Sequence, residues 1–379
     1  MEITIIGWYG TETIGDRAIL AGIFRILSES IGDFTIRLGS LFPFYTQRTL
    51  LEDIDFYKTA ACNKNLSINI FDSRNPCELK RNIKQSSLLM VGGGPLMDLR
   101  EMSMLDYAFS LATKYRIKSV LMGTGWGPLT KEETINIAKK LVKKSSLVIF
   151  RDNISKETAI KNGCDSSKVT SLIDPAFIAC MVYLESPTVL TDDYISINFR
   201  DVELEGNHYL NHEVSTDVFA NIVKSVLSKR DYPIHLVPMH NFFIGGDDRI
   251  ILSKIANKVA SDRIKVLHHP LSLKQTMDEF YNANYSVGMR FHSVVLQTAL
   301  NGRNFIIDYT DPQNGKIISM IKNLGMENTY RNRYLSLHSP QKIYDIDINQ
   351  IEQYNISNDY LQDSFSKYCS YVRRLIDRC

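Results

Sequence analysis

The sequence has no long apolar run, no paired cysteines and no block of basic residues. No stretch approaches the ~18–20 consecutive apolar residues that cross a membrane as a helix. The formal net charge is only +2, which argues against nucleic acid as the main partner. The six cysteines are scattered, without a Cys-x-x-Cys pair or an accompanying histidine cluster. We therefore expect no metal site, and we expect reduced thiols in a cytoplasmic protein.

Two common nucleotide-binding motifs are also missing. No Gly-x-Gly-x-x-Gly segment enters a helix with an acidic residue at the next strand end, so the sequence does not predict a dinucleotide site. No Gly-Lys-Ser/Thr follows a glycine-rich loop, so a P-loop is not predicted either. Residues 1–7 lack the basic lead of a signal peptide and predict a first β-strand.

What the sequence does contain is an alternation of short apolar runs with helix-period segments from one end to the other. The run at residues 88–91 is continuously apolar, which favours a parallel sheet covered on both faces. A chain of 379 residues is too long for one ordinary core. The pattern predicts an α/β protein with two doubly wound, Rossmann-like domains, at residues 1–185 and 186–345.

The last segment, residues 346–379, is predicted to form a helical tail that packs across the two domains. Apolar residues recur on one face of its helix, and Arg373, Arg374 and Arg378 lie elsewhere on it. These arginines make the tail a candidate for peripheral contact with a membrane surface.

In the first half, three glycine-rich turns follow predicted strands, at residues 7–16, 92–98 and 123–128. Glycine lets a backbone approach a ligand closely, so three such turns predict one shared rim. Trp8, Tyr9 and Trp126 suit stacking on sugar faces, and two carboxylates suit hydrogen bonds from sugar hydroxyls, those of Asp16 and Asp98. The alternative is that the glycines serve tight turns and the aromatic rings cap the core.

In the second half, residues 288–293 end a strand and open a helix, which places Arg290 and His292 in the turn between them. Exposed N–H groups and the helix dipole attract anions there. Arginine adds a fork for phosphate or carboxylate, and histidine can give or take a proton near neutral pH. Arg200 and His240 end two other strands, so these four side chains are predicted to converge on one sheet edge. The alternative is a surface arginine and a structural histidine.

Taken in order, these segments resemble the polysaccharide pyruvyltransferase family. The resemblance spans roughly residues 3–325 and rests on the following segments: residues 7–16, 92–98, 123–128, 151–155, 174–177, 247–248 and 289–292, and Tyr309 followed by Lys316. The sequence departs from the family pattern at Thr13, where the family often has Asn, and at Arg17, where an acidic residue is common. Both departures lie in the half expected to hold the acceptor, so they bear on which acceptor is used.

The resemblance implies two domains facing across a cleft, similar to GT-B glycosyltransferases. It also implies phosphoenolpyruvate as co-substrate and a sugar diol, free or lipid-linked, as acceptor, with no further cofactor and no metal. We assign catalysis to His292 and Arg290. Donor binding is assigned to Arg200, Arg290, His240, Ser293 and Lys316. Acceptor binding is assigned to Trp8, Tyr9, Asp16, Gly93, Gly94, Asp98 and Trp126.

Two other functions remain open at this point. A GT-B glycosyltransferase would use a nucleotide sugar and needs an acidic residue for the donor ribose, for which Glu279 or Asp308 can be argued. A non-catalytic sugar-binding protein of a polysaccharide assembly would keep the fold without the activity. The intact set of Arg200, Arg290 and His292 counts against this second alternative.

Overall fold

A computed structural model describes residues 1–202, 212–242, 244, 246–338, 346, 348 and 351–377. It divides into two compact units. The first comprises Met1–Val182 together with Ser357–Cys379, and the second comprises Tyr183–Ile356. Arg378 and Cys379 lie outside the described residues. None of the described helices is long and apolar enough to cross a membrane.

The first unit is built on a parallel β-sheet. Its strands are β1 Glu2–Ile6, β2 Thr35–Ser40, β3 Ser67–Asp72, β4 Leu88–Gly92, β5 Pro95–Leu96, β6 Lys118–Trp126, β7 Leu147–Phe150 and β8 Val169–Ser171. They lie in the order β3-β2-β1-β4-β6-β7-β8, and β5 pairs with β6. Strand β4 is buried along its whole length, as its unbroken apolar run predicts for a central parallel strand.

Helices connect the strands of this first sheet. They are α1 Ile14–Ile31, α2 Pro43–Ala60, α3 Pro76–Lys84, α4 Met102–Lys114, α5 Glu132–Lys144, α6 Asn153–Lys161 and α7 Pro175–Leu184. Several begin with the capping residue that the sequence offers. Asn75 accepts hydrogen bonds from the first turn of α3, and Asp152 accepts one at the start of α6.

The second unit is also built on a parallel β-sheet, which has six strands. They are β9 Ile195–Ile197, β10 Ile234–Leu236, β11 Ile264–Val266, β12 Tyr285–Gly288, β13 Asn304–Asp308 and β14 Tyr334–Ser336. Their order in the sheet is β11-β10-β9-β12-β13-β14. The connecting helices are α8 His212–Lys229, α9 Asp248–Val259, α10 Leu273–Tyr281, α11 Phe291–Leu300, α12 Lys316–Asn323 and α13 Glu327–Tyr330. The predicted pair of Rossmann-like α/β domains is confirmed.

Each sheet reverses its strand order at one point, between β1 and β4 in the first unit and between β9 and β12 in the second. In open α/β sheets, ligands bind outside the carboxyl ends of the strands at such a point. The turns that follow these strands are therefore where the candidate sites should be sought, one in each unit.

The last helix, α14 Asn358–Asp377, belongs to the first unit, whereas residues 346–356 belong to the second. It packs against α1, and the Tyr368 hydroxyl donates a 2.8 Å hydrogen bond to the Ile173 carbonyl. Its buried residues are Leu361, Ser364, Tyr368, Cys369 and Val372. The predicted tail thus divides at residue 357, and its helix completes the core of the first unit.

Candidate functional site

The turn after β12 has the predicted strand-to-helix geometry. Arg290 is the N-cap residue of α11, and His292 lies in the first turn of that helix. His292 is partly exposed, and its ring meets the Phe291 ring edge-on, with centroids 5.0 Å apart. Ser293 is fully buried, and its hydroxyl donates a 2.7 Å hydrogen bond to the Arg290 carbonyl. The Ser293 hydroxyl thus serves the helix start, and donor binding by Ser293 stays a prediction.

Arg290 is held by a buried carboxylate. Its Nε lies 2.9 Å and 2.7 Å from the two oxygens of Asp248, and its Nη2 lies 2.6 Å from Oδ1. Asp248 also accepts hydrogen bonds from the backbone amides of Met239 and His240, at 3.0 and 3.1 Å. Burial opposes the charged form of Arg290, but the charge of Asp248 outweighs it and raises the pKa of the guanidinium. The pair fixes the direction in which Arg290 points.

The predicted convergence on one sheet edge is present in the order of the strands. Arg200 follows β9, His240 follows β10, Arg290 follows β12 and Tyr309 follows β13, and these four strands are neighbours in the sheet. His240 is buried, with 6% of its surface exposed, and its backbone carbonyl accepts a hydrogen bond from the Asp248 amide at 3.0 Å. Sequence reasoning assigned no role to Asp248, although it stands within the segment at residues 247–248.

Tyr309 is the residue around which the cations gather. Arg200 Nη1 donates a 3.1 Å hydrogen bond to the phenol oxygen, and its guanidinium carbon lies 4.8 Å from the ring centre. The Lys316 ammonium lies 5.3 Å from the same ring centre. Lys316 is the first residue of α12, so the positive end of a second helix dipole faces this region.

The charges around Tyr309 change its acidity. Burial by itself would raise the pKa of the phenol, as it does for Tyr330 in the same unit. The positive charges of Lys316 and Arg200, with a smaller contribution from Arg290, outweigh burial and lower the pKa to about 7. Sequence reasoning noted Tyr309 only as part of the family pattern. Its position at the carboxyl end of β13 was the signal that could have placed it in the site.

The two acidic residues considered for a nucleotide ribose are engaged elsewhere. Glu279 lies 2.9 Å from His235 Nδ1. Asp308 is fully buried and accepts hydrogen bonds from the amide and hydroxyl of Thr310 and from the hydroxyl of Tyr334, at 2.6–2.7 Å. Neither carboxylate offers a ready partner for a ribose.

In the first unit, the turn after β4 lies beside the start of α1. Gly93 and Gly94 have left-handed φ angles of 96° and 64°, and a Cβ on either would lie 3.5 Å from Asp16 Oδ1. A Cβ on Gly94 would also collide with the Trp8 ring, so only glycine fits there. Asp16 lines a cleft with 380 Å³ of empty space, part of it open to solvent, with threonine hydroxyls that include Thr11 and Thr13. The structure thus brings together three of the predicted acceptor residues.

Asp16 has an unusual electrostatic environment for a carboxylate. Burial raises its pKa to about 7, the nearby Asp174 adds to the rise, and Arg151 opposes it. The Tyr9 hydroxyl is buried and has no hydrogen-bond partner among the described residues. A carboxyl group that titrates near neutral pH, beside an unsatisfied hydroxyl, is suited to exchange hydrogen bonds with a polyol.

The aromatic residues do not form the exposed rim that the sequence suggested. Trp8, Tyr9 and Trp126 expose 5%, 4% and 9% of their surface. Trp8 and Trp126 belong to the hydrophobic core of the first unit, where Trp126 packs edge-on against Phe150. Trp8 Nε1 donates a 2.9 Å hydrogen bond to the Pro95 carbonyl. Stacking of these rings on a sugar is therefore not supported, and the alternative reading as core aromatics holds for both tryptophans.

Asp98 also has a structural role. It accepts hydrogen bonds from the amide and hydroxyl of Thr130, at 2.7 and 2.6 Å, from the amide of Lys131 and from the hydroxyl of Thr134. Its slight burial is outweighed by the hydrogen bonds of Thr130 and Thr134, which lower its pKa to about 2. The oxygens of Asp98 thus hold the start of α5, and its role in acceptor binding stays a prediction that these hydrogen bonds do not favour.

Arg17, where the family pattern commonly has an acidic residue, forms ion pairs with neighbouring carboxylates. Its Nη2 lies 2.7 Å from Asp53 Oδ1 and 3.3 Å from Glu52 Oε2, both on α2. Arg48 pairs in turn with Glu12 and Glu52. Arg17 and Asp53 are both buried. The arginines beside the cleft are thus matched by carboxylates, which leaves no unbalanced positive charge on this side of the first unit's described residues.

Comparison of the fold with solved structures finds a UDP-GlcNAc 2-epimerase and a protein solved with UDP and glucose. The UDP-GlcNAc 2-epimerase of Methanocaldococcus jannaschii is 14% identical, with a TM-score of 0.62 over 98% of this chain and 100% of that chain. Anabaena Alr3699/HepE, solved in complex with UDP and glucose, is 11% identical, with a TM-score of 0.54 over 100% of this chain and 95% of that chain. At these identities the likeness shows the fold alone, which is the GT-B arrangement of α/β domains.

Sequence comparison is more specific. The amylovoran biosynthesis protein AmsJ of Erwinia amylovora is 22% identical over 377 residues, covering 86% of each chain. The sequence profile of the family described as polysaccharide pyruvyl transferase matches residues 14–312, well over half of the chain. That range includes Asp16, Gly93 and Gly94 of the first sheet edge and Arg200, Arg290 and Tyr309 of the second. Because the match covers most of the chain, the chain belongs to the polysaccharide pyruvyl transferase family.

Proposed function

We propose that the protein transfers the pyruvyl group of phosphoenolpyruvate to two hydroxyls of a sugar, giving a cyclic pyruvate ketal and phosphate. The observation that carries this proposal is the group of three cations, Arg200, Arg290 and Lys316, around Tyr309. Phosphoenolpyruvate carries a phosphate and a carboxylate, and these need at least two positioned cations.

The cations differ in how firmly they are placed. Arg290 is oriented by Asp248 through Nε and Nη2, so its remaining Nη1 can meet a donor oxygen with little loss of side-chain entropy. Arg200 and Lys316 are held by a phenol rather than a carboxylate, so they can exchange this partner for a phosphate. In this scheme Arg290 and Arg200 bind the donor, and Lys316 neutralises the departing phosphate.

His292 is the group to which we assign the proton transfer. Its imidazolium gives a proton to the methylene carbon of the donor, which makes the adjacent carbon electrophilic. A sugar hydroxyl forms a bond to that carbon, the carbon–oxygen bond to phosphate breaks, and phosphate leaves. The second hydroxyl then closes the ring. One of the two hydroxyl protons restores the imidazolium, and the other leaves with phosphate or solvent.

The acceptor belongs, in this proposal, with the first unit. Asp16, Gly93 and Gly94 meet beside the cleft, whose other polar lining includes threonine hydroxyls and the ion-paired side chains of Glu12 and Arg17. Such a lining suits hydrogen bonds with sugar hydroxyls. We take the acceptor to be a surface polysaccharide or its lipid-linked precursor. A lipid-linked acceptor would be presented at the inner face of the membrane, so we place the enzyme in the cytoplasm at that face.

The proposal is tested by thermal unfolding of the purified protein with phosphoenolpyruvate, UDP or GDP. A ligand that binds only the native state raises its stability, by about 2.7 kcal/mol at 100 times the dissociation constant. We expect phosphoenolpyruvate alone to stabilise the wild type, and Arg200→Ala to lose this effect. Lys265→Ala removes an exposed cation from β11 of the same unit and serves as the matched control.

Stabilisation of the protein by a nucleotide, without stabilisation by phosphoenolpyruvate, would contradict the proposal. That result would favour glycosyl transfer from a nucleotide sugar. Equal loss of the donor effect in Lys265→Ala would show that general charge, rather than the site, is being measured. If the donor binds, release of inorganic phosphate in the presence of a glycan extract measures the transfer itself.

A further inference from the structure

Tyr309 differs from the other tyrosines that the structure describes in the second unit, because it has cations on several sides. Arg200 reaches its oxygen from the end of β9, and Lys316 approaches it from the start of α12. Arg290, at the start of α11, adds a weaker attraction. The backbone carbonyl of Tyr309 lies 3.2 Å from Nε2 of His338, which follows β14 in the chain. Each element around Tyr309 therefore brings a cationic or neutral group toward it.

The negative groups in this region are already matched. Asp248 is bound by Arg290. Asp308 accepts hydrogen bonds from Thr310 and Tyr334, and the charge of Lys316 acts on it more weakly than these hydrogen bonds. If Tyr309 were neutral, Arg200 and Lys316 would lie close together with no anion between them in the described part of the site. Two like charges repel each other in a partly buried site, so an ionised phenol between them lowers the energy of both.

We propose that the Tyr309 phenol is ionised in the ligand-free protein and takes up one proton from solvent when the phosphate of the donor binds. The phosphate replaces the phenolate as the partner of Arg200 and Lys316. A phenolate beside a phosphate would be repelled, whereas a neutral hydroxyl can donate a hydrogen bond to a phosphate oxygen. Tyr309 thereby keeps the two cations in place until the donor arrives. The inference rests on the proposed donor.

The first part of the test needs no ligand. Tyrosinate and tyrosine differ in ultraviolet absorbance, and an ordinary tyrosine ionises near pH ~10. We expect one additional ionisation near pH 7 in the wild type, with one nineteenth of the total tyrosine amplitude, since the chain has 19 tyrosines. Tyr309→Phe should lack it. Coincident titration curves for the wild type and Tyr309→Phe below pH ~9 would overturn the inference.

Tyr334→Phe is the matched control. Tyr334 begins β14, the strand beside β13, but its hydroxyl donates to Asp308, and burial together with that carboxylate raises its pKa. Its loss should leave the ionisation near pH 7 unchanged. Disappearance of the signal in this variant as well would assign it to a general change in the site and overturn the role of Tyr309.

The second part adds phosphoenolpyruvate, or inorganic phosphate, at about pH 8, between the pKa of Tyr309 and that of an ordinary tyrosine. We expect the tyrosinate absorbance of one residue to disappear, and calorimetry in two buffers of different ionisation enthalpy to show uptake of about one proton. Both changes should be absent in Tyr309→Phe. Binding without either change would overturn this inference alone, whereas failure of both ligands to bind would overturn the proposed donor with it.

Discussion

The two sheets share a strand order around their reversal points, but the side chains at their carboxyl edges have opposite charge. In the first unit the edge presents Asp16, with Asp174 nearby, and its arginines are paired with carboxylates. In the second unit the edge presents Arg200, Arg290 and Lys316, and only Arg290 has a carboxylate partner there among the described residues. One topology thus supports two electrostatic environments, because the side chains that follow the strands are independent of the strands.

This difference separates two kinds of ligand. A phosphate or carboxylate is stabilised by the second edge and repelled by the first. A neutral polyol offers hydroxyl protons, which suit the carboxylate and the unsatisfied Tyr9 hydroxyl of the first edge. The assignment of donor and acceptor to different units follows from charge rather than from fold, and it can be tested one edge at a time.

The largest expected effect comes from His292, the proposed proton donor beside Arg290 in the second unit. His292→Gln keeps much of the shape but cannot give a proton, so turnover should fall by about 10²–10⁴-fold. Phosphate release measures this, and donor-induced stabilisation should persist because the arginines remain. His269→Gln, at an exposed histidine of the same unit, should be near normal. Near-normal turnover of His292→Gln would remove this residue from the mechanism.

The next effect concerns the carboxylate that orients Arg290. Asp248→Ala leaves a buried guanidinium without its partner, which should cost about 3–5 kcal/mol of unfolding free energy in denaturant. Asp231→Ala removes a fully exposed carboxylate from the Arg263 pair and should leave the stability nearly unchanged, because exposed ion pairs contribute little. Equal losses in the two variants would mean that Asp248 is no more than a surface partner.

The sheet edge of the first unit, which carries Asp16, is tested by measuring stability as a function of pH. Because burial raises the folded-state pKa of Asp16 from 3.8 to about 7, its stabilising contribution is complete below pH ~4 and is lost as pH rises to about 7. The loss amounts to at most about 1.4 kcal/mol for each unit of pH in that window. Asp16→Asn should abolish this slope in the unfolding free energy and be the more stable form above pH ~7.

Asp98→Asn provides the comparison of opposite sign. The folded pKa of Asp98 is lowered from 3.8 to about 2, so its contribution is present above pH ~4 and is lost as the pH falls toward 2. Asp16→Asn should therefore change how the unfolding free energy depends on pH between pH ~4 and ~7, whereas Asp98→Asn should change it below pH ~4. If Asp16→Asn retained the wild-type slope between pH ~4 and ~7, the environment inferred for Asp16 would be wrong.

The smallest expected effect separates the two units as folding entities. Tyr368→Phe removes the hydrogen bond to the Ile173 carbonyl and should cost the first unit about 1–3 kcal/mol, since it leaves a buried carbonyl without its donor. Donor binding in the second unit should be unchanged. A matching loss of phosphoenolpyruvate binding would show that the two units are more tightly coupled than this comparison assumes.

The sequence predicted the elements that follow hydrophobic periodicity. The sequence placed a buried strand at residues 88–91, which is β4, and a strand-to-helix turn at residues 288–293, which lies between β12 and α11. It missed β3, whose pattern of exposed and part-buried residues is that of an edge strand, and it missed the long α2. Periodicity reports burial, so an element with little burial gives little signal.

Within the sites, the sequence predicted position better than role. The turns that follow parallel strands gather at one edge, which placed Arg200 and Arg290 correctly on neighbouring strands. Sequence could not show that Asp248 binds Arg290, because the two residues are 42 positions apart and pair only through the fold. Nor could it show that Trp8 points into the core, since aromatic residues after a strand can face either way.

The path of the chain sets an order for its folding during synthesis. The second unit is a single stretch, residues 183–356, but the first unit needs α14, which is translated only afterwards. Ribosomes add about 5–20 residues per second, and domains fold as units when their residues have emerged. The surface of α1 that packs against Cys369 therefore stays exposed for tens of seconds, until α14 has been synthesised. The unit whose translation starts first is the last to be completed.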